Sequence, residues 1–311
     1  MANVIVVGSG TMGNGIAQTF AQAGNKVVLS DLNDEILRQA LGNIEIQLDL
    51  SVKNNMLTEK EAGEARGNIC VTTDISNEAV NVDLVVEAIP EKIELKEALF
   101  DKLEKLCPQK TIFATNTSGI SINLLSERVK RKDRFIGTHF FMPAHLIPLV
   151  EVVCSNQTSE DTVENVMNWL TEAGKAPVRV AKDIPGFIAN RLQHALAREA
   201  MSLVQKGIAT AEGVDQVVKT SLAPRLLFTG PMEQRDFNGL DTHLSIASYL
   251  YKDLEDTHTP LKILSDKVSE GKLGVKTGEG FFDWSSQSKE LVNAKKNQDL
   301  IDVLLFLKQR K

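Results

Sequence analysis

Residues 3–33 read NVIVVGSGTMGNGIAQTFAQAGNKVVLSDLN. Val4, Ile5, Val6 and Val7 form a short β-branched apolar run, the pattern of a strand buried on both faces of a parallel sheet. The triad Gly8-x-Gly10-x-x-Gly13 follows at once. Ile16, Ala17, Phe20 and Ala21 then recur at helical spacing, and a second apolar run, Val27 to Leu29, leads to Asp31. Strand, glycine turn, helix, strand and acid together are the context that gives this glycine spacing a meaning. Gly8 permits a tight turn, Gly10 lets the backbone approach a pyrophosphate, and Gly13 lets helix and strand pack closely. The free amides and positive dipole at the helix start suit the phosphates, which places them at Gly10, Thr11 and Met12. Asp31 is placed to take the adenosine ribose hydroxyls. Leu32 and Asn33 follow it, with no arginine for a 2′-phosphate, so NAD is expected rather than NADP. The plainer reading, a glycine-rich turn with no ligand, does not account for this order of elements.

Outward from this unit the chain continues as an α/β protein. Residues 34–66 look like a helical excursion of two helices, with Thr58 and Glu61 spaced as a capping box for the second. It reads either as a clasp toward substrate or as a packing insertion. Strands are predicted at Leu84–Val86, Thr111–Ala114, and in RFIGTHFF, LVEVVC and APVRVA. The polar TNTSGIS segment lies beyond a strand's carboxyl end, where ligands collect in open α/β sheets. Pro185-Gly186 marks a break, and helical patterns follow it. The expected architecture is a Rossmann-type, doubly wound domain over 1–184. An all-helical domain over 185–311 follows, for substrate binding and dimerisation. The glycine-rich GKLGVKTGEGFFDW reads as a loop, and the stretch from Gln287 as a terminal helix.

Composition narrows the partners. Of 311 residues, 42% are hydrophobic and 24% charged, with a net charge of −6. No basic patch stands out, so neither nucleic acid nor an anionic membrane is expected as a partner. No apolar run has the length of a membrane span, and the N-terminus reads as a strand rather than a signal peptide. Cys70, Cys107 and Cys154 are isolated, with no metal-ligand spacing. No metal is expected, and a reducing cytoplasm suits three unpaired thiols.

Taking hydride from an alcohol requires a base for the hydroxyl proton, and histidine titrates nearest neutrality. Five histidines are present, and His139 alone ends a predicted strand. Glu151 is the one acid in the apolar IPLVEVV run, an expensive position for a carboxylate without a partner. Antiparallel neighbours joined through Phe140 to Leu149 could set His139 beside Glu151. A carboxylate on the far ring nitrogen fixes the tautomer of a base and stabilises its imidazolium. A buried structural ion pair is the competing account.

From Val4 to about Trp284 the chain resembles the 3-hydroxyacyl-CoA dehydrogenases. The resemblance rests on VGSGTMGNGIAQ, DLVVEAIPE, FATNTSGIS, DRFIGTHFF, LVEVV, KDIPGFIANRL, GLDT and GKLGVKTGEGFFDW. It implies that His139 is the base and that Glu151 orients it. It further implies that Ser118 and Asn190 hydrogen-bond the substrate oxygens, that Glu91 and Lys96 line the NAD site, and that Asn116 lies near the nicotinamide. The implied activity is reversible oxidation of the 3-hydroxyl of an L-3-hydroxyacyl-CoA, in a homodimer. Three departures concern the substrate. Met142 stands where the acyl-CoA enzymes carry Asn, and Pro148 where they carry Lys. The family's helical excursion has a lysine cluster that meets CoA. Here Lys53 remains, and Asn54 and Asn55 take positions where lysines are common. These features are similar to the L-carnitine and L-gulonate dehydrogenases of the same superfamily, so a small CoA-free 3-hydroxy acid is the alternative. A non-catalytic NAD-binding protein, as in the superfamily's lens members, is the third reading.

Overall fold

The computed structural model describes residues 1–310. Eight strands form one sheet: β1 (Asn3–Val7), β2 (Lys26–Ser30), β3 (Ile69–Thr72), β4 (Leu84–Glu87), β5 (Ile112–Thr115), β6 (Phe135–Phe140), β7 (Leu149–Cys154) and β8 (Ala176–Val180). Their order is β3-β2-β1-β4-β5-β6-β7-β8. The six strands from β3 to β6 run parallel. β7 is antiparallel to β6, and β8 runs parallel to β7.

Helices α1 (Thr11–Gln22), α2 (Asp34–Lys53) and α3 (Glu59–Gly67) follow the first two strands. Next come α4 (Ile93–Leu106), α5 (Ile122–Ser126) and α6 (Glu160–Glu172). Alternation along β1 serves both faces of the sheet. Val4 and Val6 pack with α1, α2 and α6 through Ile16, Phe20, Leu37 and Val166. Ile5 packs with α4 and α5 through Phe100, Leu103 and Leu125. α3 has the capping box expected of it, with Thr58 and Glu61 exchanging hydrogen bonds.

The later helices are α7 (Ala189–Gln205), α8 (Ala211–Val217), α9 (Ala223–Leu226), α10 (Pro231–Asn238), α11 (Leu240–Leu250), α12 (Lys262–Ser269) and α13 (Lys289–Lys308). This is the doubly wound sheet and helical C-terminal part that the sequence indicates.

Several details differ from the sequence reading. β3 is a four-residue edge strand, half-exposed, and too short and polar-flanked to show as a pattern. α10 begins at Pro231, a helix the sequence reading does not single out; proline at the first helical position needs no donor, so a helix can start there. The chain also divides into two compact units. One compact unit holds Met1–Ala189 and the end of the chain from Leu300; the other is Asn190–Asp299. Pro185 and Gly186 stay with the first unit because Phe187 is buried in its core. The segment from Leu300 clusters with the first unit, where Ile301 is 1% exposed.

Candidate active site

The sheet reverses direction of growth between β1 and β4, where loops leave the carboxyl ends of both strands. The glycine loop stands at this point. Gly8 has φ +99°, and a Cβ on it would lie 2.5 Å from the Ala88 carbonyl oxygen. A Cβ on Gly13 would lie 1.7 Å from the Gly8 carbonyl oxygen, so nothing larger fits between helix and strand. A Cβ on Gly10 would meet nothing within 4 Å. Gly10 is the N-cap of α1 and gives the first-turn amides no side-chain acceptor. The loop is therefore an open cradle of free N–H groups at a positive helix end, and it fits a pyrophosphate. Thr11 is exposed and Met12 half-buried at its rim. Asp31 follows β2, and its carboxylate accepts from the Ser9 amide at 2.6 Å and the Ser9 hydroxyl at 2.8 Å. The acid is thus held beside the loop it is expected to serve.

Beyond β4 lies a buried charge network. Lys96 is 1% exposed and donates to both oxygens of Glu87, at 2.6 and 2.7 Å. Burial raises the Glu87 carboxyl above the usual carboxylate range, against the opposing pull of Lys96 and of the Thr115 hydroxyl. Lys96 also pairs with Glu91 at 3.1 Å. Glu91 accepts from the Thr117 hydroxyl and from the amides of Ser118, at 3.0 Å, and Gly119, at 3.2 Å. Partial burial works to raise the Glu91 carboxyl, but the Thr117 hydroxyl and the Lys96 charge outweigh it and hold it below its ordinary value. Lys96, expected with Glu91 to line the NAD site, is enclosed by Glu87 and Glu91, a partner set that only the fold discloses.

Asn116 follows β5, and its Oδ1 accepts from the Phe140 amide at 2.9 Å, tying the ends of β5 and β6 together. Ser118 is exposed on the same loop.

His139 and Glu151 are directly paired residues of the antiparallel β6–β7 ladder. His139 Nδ1 lies 2.8 Å from Glu151 Oε2, with both side chains buried. The other oxygen, Oε1, accepts from the amides of Ile188 and Ala189, each at 2.8 Å. These amides begin a helix and have no partner inside it, so a carboxylate suits them by hydrogen bonding and by the dipole. Phe187 delivers them with a φ of +49°, a left-handed conformation costly for a bulky residue. Its ring stands 5.4 Å from the imidazole, and that of Phe141 stands 4.4 Å away. The arrangement leaves Nε2 of His139 as the nitrogen able to accept a proton, with Glu151 opposite to balance the imidazolium. No spacing in the sequence points to the two amides on Glu151 or to the Phe187 ring beside His139, because both depend on the turn at Gly186.

Asn190 is half-buried at the second position of α7, the first residue of the second unit. Met142 is 63% exposed in the loop after β6. Lys53 is the exposed last residue of α2. The two residues after it serve the backbone: Asn54 Nδ2 donates to Leu50 O at 2.8 Å, and Asn55 adopts φ +56°. Among the described residues no helix is long and apolar enough to cross a membrane.

Residues 3–184 match the family model described as 3-hydroxyacyl-CoA dehydrogenase, NAD binding domain, and residues 186–284 match that family's C-terminal domain. The chain is 32% identical to a 5-formyl-3-hydroxy-2-methylpyridine 4-carboxylate 5-dehydrogenase of Mesorhizobium japonicum, over 99% of both chains. It is 38% identical to the human mitochondrial hydroxyacyl-coenzyme A dehydrogenase, over 90% of each. A crystal structure of a 5-formyl-3-hydroxy-2-methylpyridine 4-carboxylic acid 5-dehydrogenase, described as an NAD+-dependent dismutase, superposes with a TM-score of 0.92. It is 31% identical, and the match spans 100% of both chains. The cradle at the sheet's switch point fits the cofactor that these proteins use. The chain belongs to the 3-hydroxyacyl-CoA dehydrogenase family and is an NAD-dependent oxidoreductase of that kind.

Proposed function

We propose that the protein oxidises a secondary hydroxyl reversibly, with His139 as the base, and that its substrate is a small hydroxy acid carried without CoA. NAD, when bound, supplies the hydride acceptor. Gly8, Gly10, Thr11, Met12 and Gly13 would hold its pyrophosphate, and Asp31 its ribose hydroxyls. Glu91 and Asn116 would stand on the nicotinamide side, with Lys96 behind Glu91. Ser118 and Asn190 hold the substrate oxygens. His139 accepts the hydroxyl proton at Nε2. Glu151 keeps Nδ1 protonated and offsets the charge that develops on the ring.

The substrate class rests on the end of α2. Asn54 and Asn55 are engaged in ending the helix, which leaves Lys53 as the one cation of that turn for anionic phosphates. Full-length likeness to a pyridine carboxylate dehydrogenase supports the same reading. An L-3-hydroxyacyl-CoA is the second reading, favoured by 38% identity to an acyl-CoA enzyme. The buried His139–Glu151 pair speaks against a non-catalytic role. A side-by-side assay of NADH formation at 340 nm decides. It would compare L-carnitine, L-gulonate and 3-hydroxybutyryl-CoA. The small acids are expected to turn over with kcat/KM at least tenfold above the thioester, and the reverse order overturns the CoA-free reading. His139→Gln should lower kcat by about 10²- to 10⁴-fold with the Kd for NAD unchanged; a variant at full rate would remove His139 from its role.

The second unit exposes large apolar side chains on its helices, among them Leu192, Met232, Phe237, Leu244 and Tyr249. This surface supports a homodimer formed through the helical unit. The free thiols of Cys70, Cys107 and Cys154 support a reducing, cytoplasmic location.

A further inference from the structure

A second cavity, of about 600 Å³, lies in the first unit. Its wall includes none of the glycine loop, Ser118, His139 or Glu151. Lys175 stands in it at 9% exposure. The ammonium donates to the carbonyls of Ala144, at 2.5 Å, and Ile147, at 3.0 Å. No carboxylate lies within ion-pairing distance of it among the described residues, and the wall contains no acid. A buried cation with only carbonyl partners is left with an uncompensated charge. His145 shares the wall, and Lys308 stands at the rim, where its charge also acts on Glu61. Leu57, Leu304 and Leu307 supply an apolar side.

We propose that this cavity is a binding site for a small amphipathic carboxylate, with the acid group on Lys175 and the hydrocarbon body against Leu57, Leu304 and Leu307. Charge and wall select the class together. A bare inorganic anion would leave the leucines wet, and a neutral hydrocarbon would leave the ammonium uncompensated. The volume lies in the range of small-molecule sites. Two of the leucines come from α13, which lies outside the residues matched by the family's two domains, so the site is not part of those domains. The carbonyls that Lys175 holds belong to the loop joining His139's strand to Glu151's strand. A ligand on Lys175 therefore sits against the segment that connects those strands.

Isothermal titration of the full chain with sodium octanoate tests the site, with octan-1-ol and sodium acetate as comparisons. Octanoate should bind one per chain, at least tenfold more tightly than either. Leu304→Trp, which fills the cavity, should raise the Kd at least tenfold while NADH formation persists. Lys175→Met should do the same to the Kd. His139→Gln should leave it unchanged, which separates this site from the active site. Octan-1-ol binding as tightly as octanoate, or unchanged affinity in Leu304→Trp, overturns the proposal. If Lys175→Met does not fold, those two measurements decide alone.

Discussion

Glu151 uses both of its oxygens, one on the imidazole and one on two backbone amides. It cannot turn away from His139 without leaving those amides unpaired, which fixes the ring as well as the charge. Glu151→Gln should therefore lower kcat by about 10²-fold or more, because an amide cannot balance an imidazolium. Steady-state kinetics beside an NAD titration would show the loss in kcat with cofactor affinity retained. His145 makes a different prediction. Burial, helped by the Lys175 charge, lowers its pKa from 6.5 to about 4. The folded protein then binds fewer protons there than the unfolded chain between pH 4 and 6.5, so stability falls as pH drops through that window. The urea midpoint should decline from pH 6.5 to 4, and His145→Asn should make that decline shallower. Much of this scale was legible: an acid in an apolar strand twelve residues from a strand-end histidine implies pairing when the strands are antiparallel. Lys96 was not, since its burial depends on Glu87, which sits in a strand whose pattern shows only a buried run.

At the scale of elements, β1 and α1 are held by atoms that nothing larger than glycine leaves room for. Gly13→Ala would bring a methyl group against the Gly8 carbonyl, so the strand-to-helix turn must shift. NAD affinity should fall at least tenfold by fluorescence titration, with a lower Tm; an alanine variant with normal affinity would mean the turn relaxes freely. Elements with strong period or fixed chemistry were readable, as with the strands flanking this turn and the Thr58 capping box. β3 was hidden because four half-exposed residues at a sheet edge need no sustained apolar pattern. α10 was hidden because Gly-Pro serves a helix start as well as a loop. The terminal helix α13 was visible as a helix, but its buried contact was not. Its apolar residues gather in the last two turns instead of forming a stripe.

At the scale of the molecule, two units share one chain, and the helical one leaves Phe237 at 78% and Leu244 at 69% exposure. In water such a surface favours a second copy. The chain should elute at twice its 34.2 kDa mass, and a Phe237→Glu, Leu244→Glu double variant should elute as a monomer. Light scattering on both proteins checks this. A monomeric parent would place these side chains against something other than a copy of the chain.

The return of the chain from Leu300 to the first unit also governs how the protein comes into being. The ribosome completes the sheet by Val180 but supplies Ile301, Leu304 and Leu307 only after the whole of Asn190–Asp299 has been made. A nascent chain halted in the helical unit would hold a finished sheet with one flank still wet, and arrival of the later turns of α13 closes it.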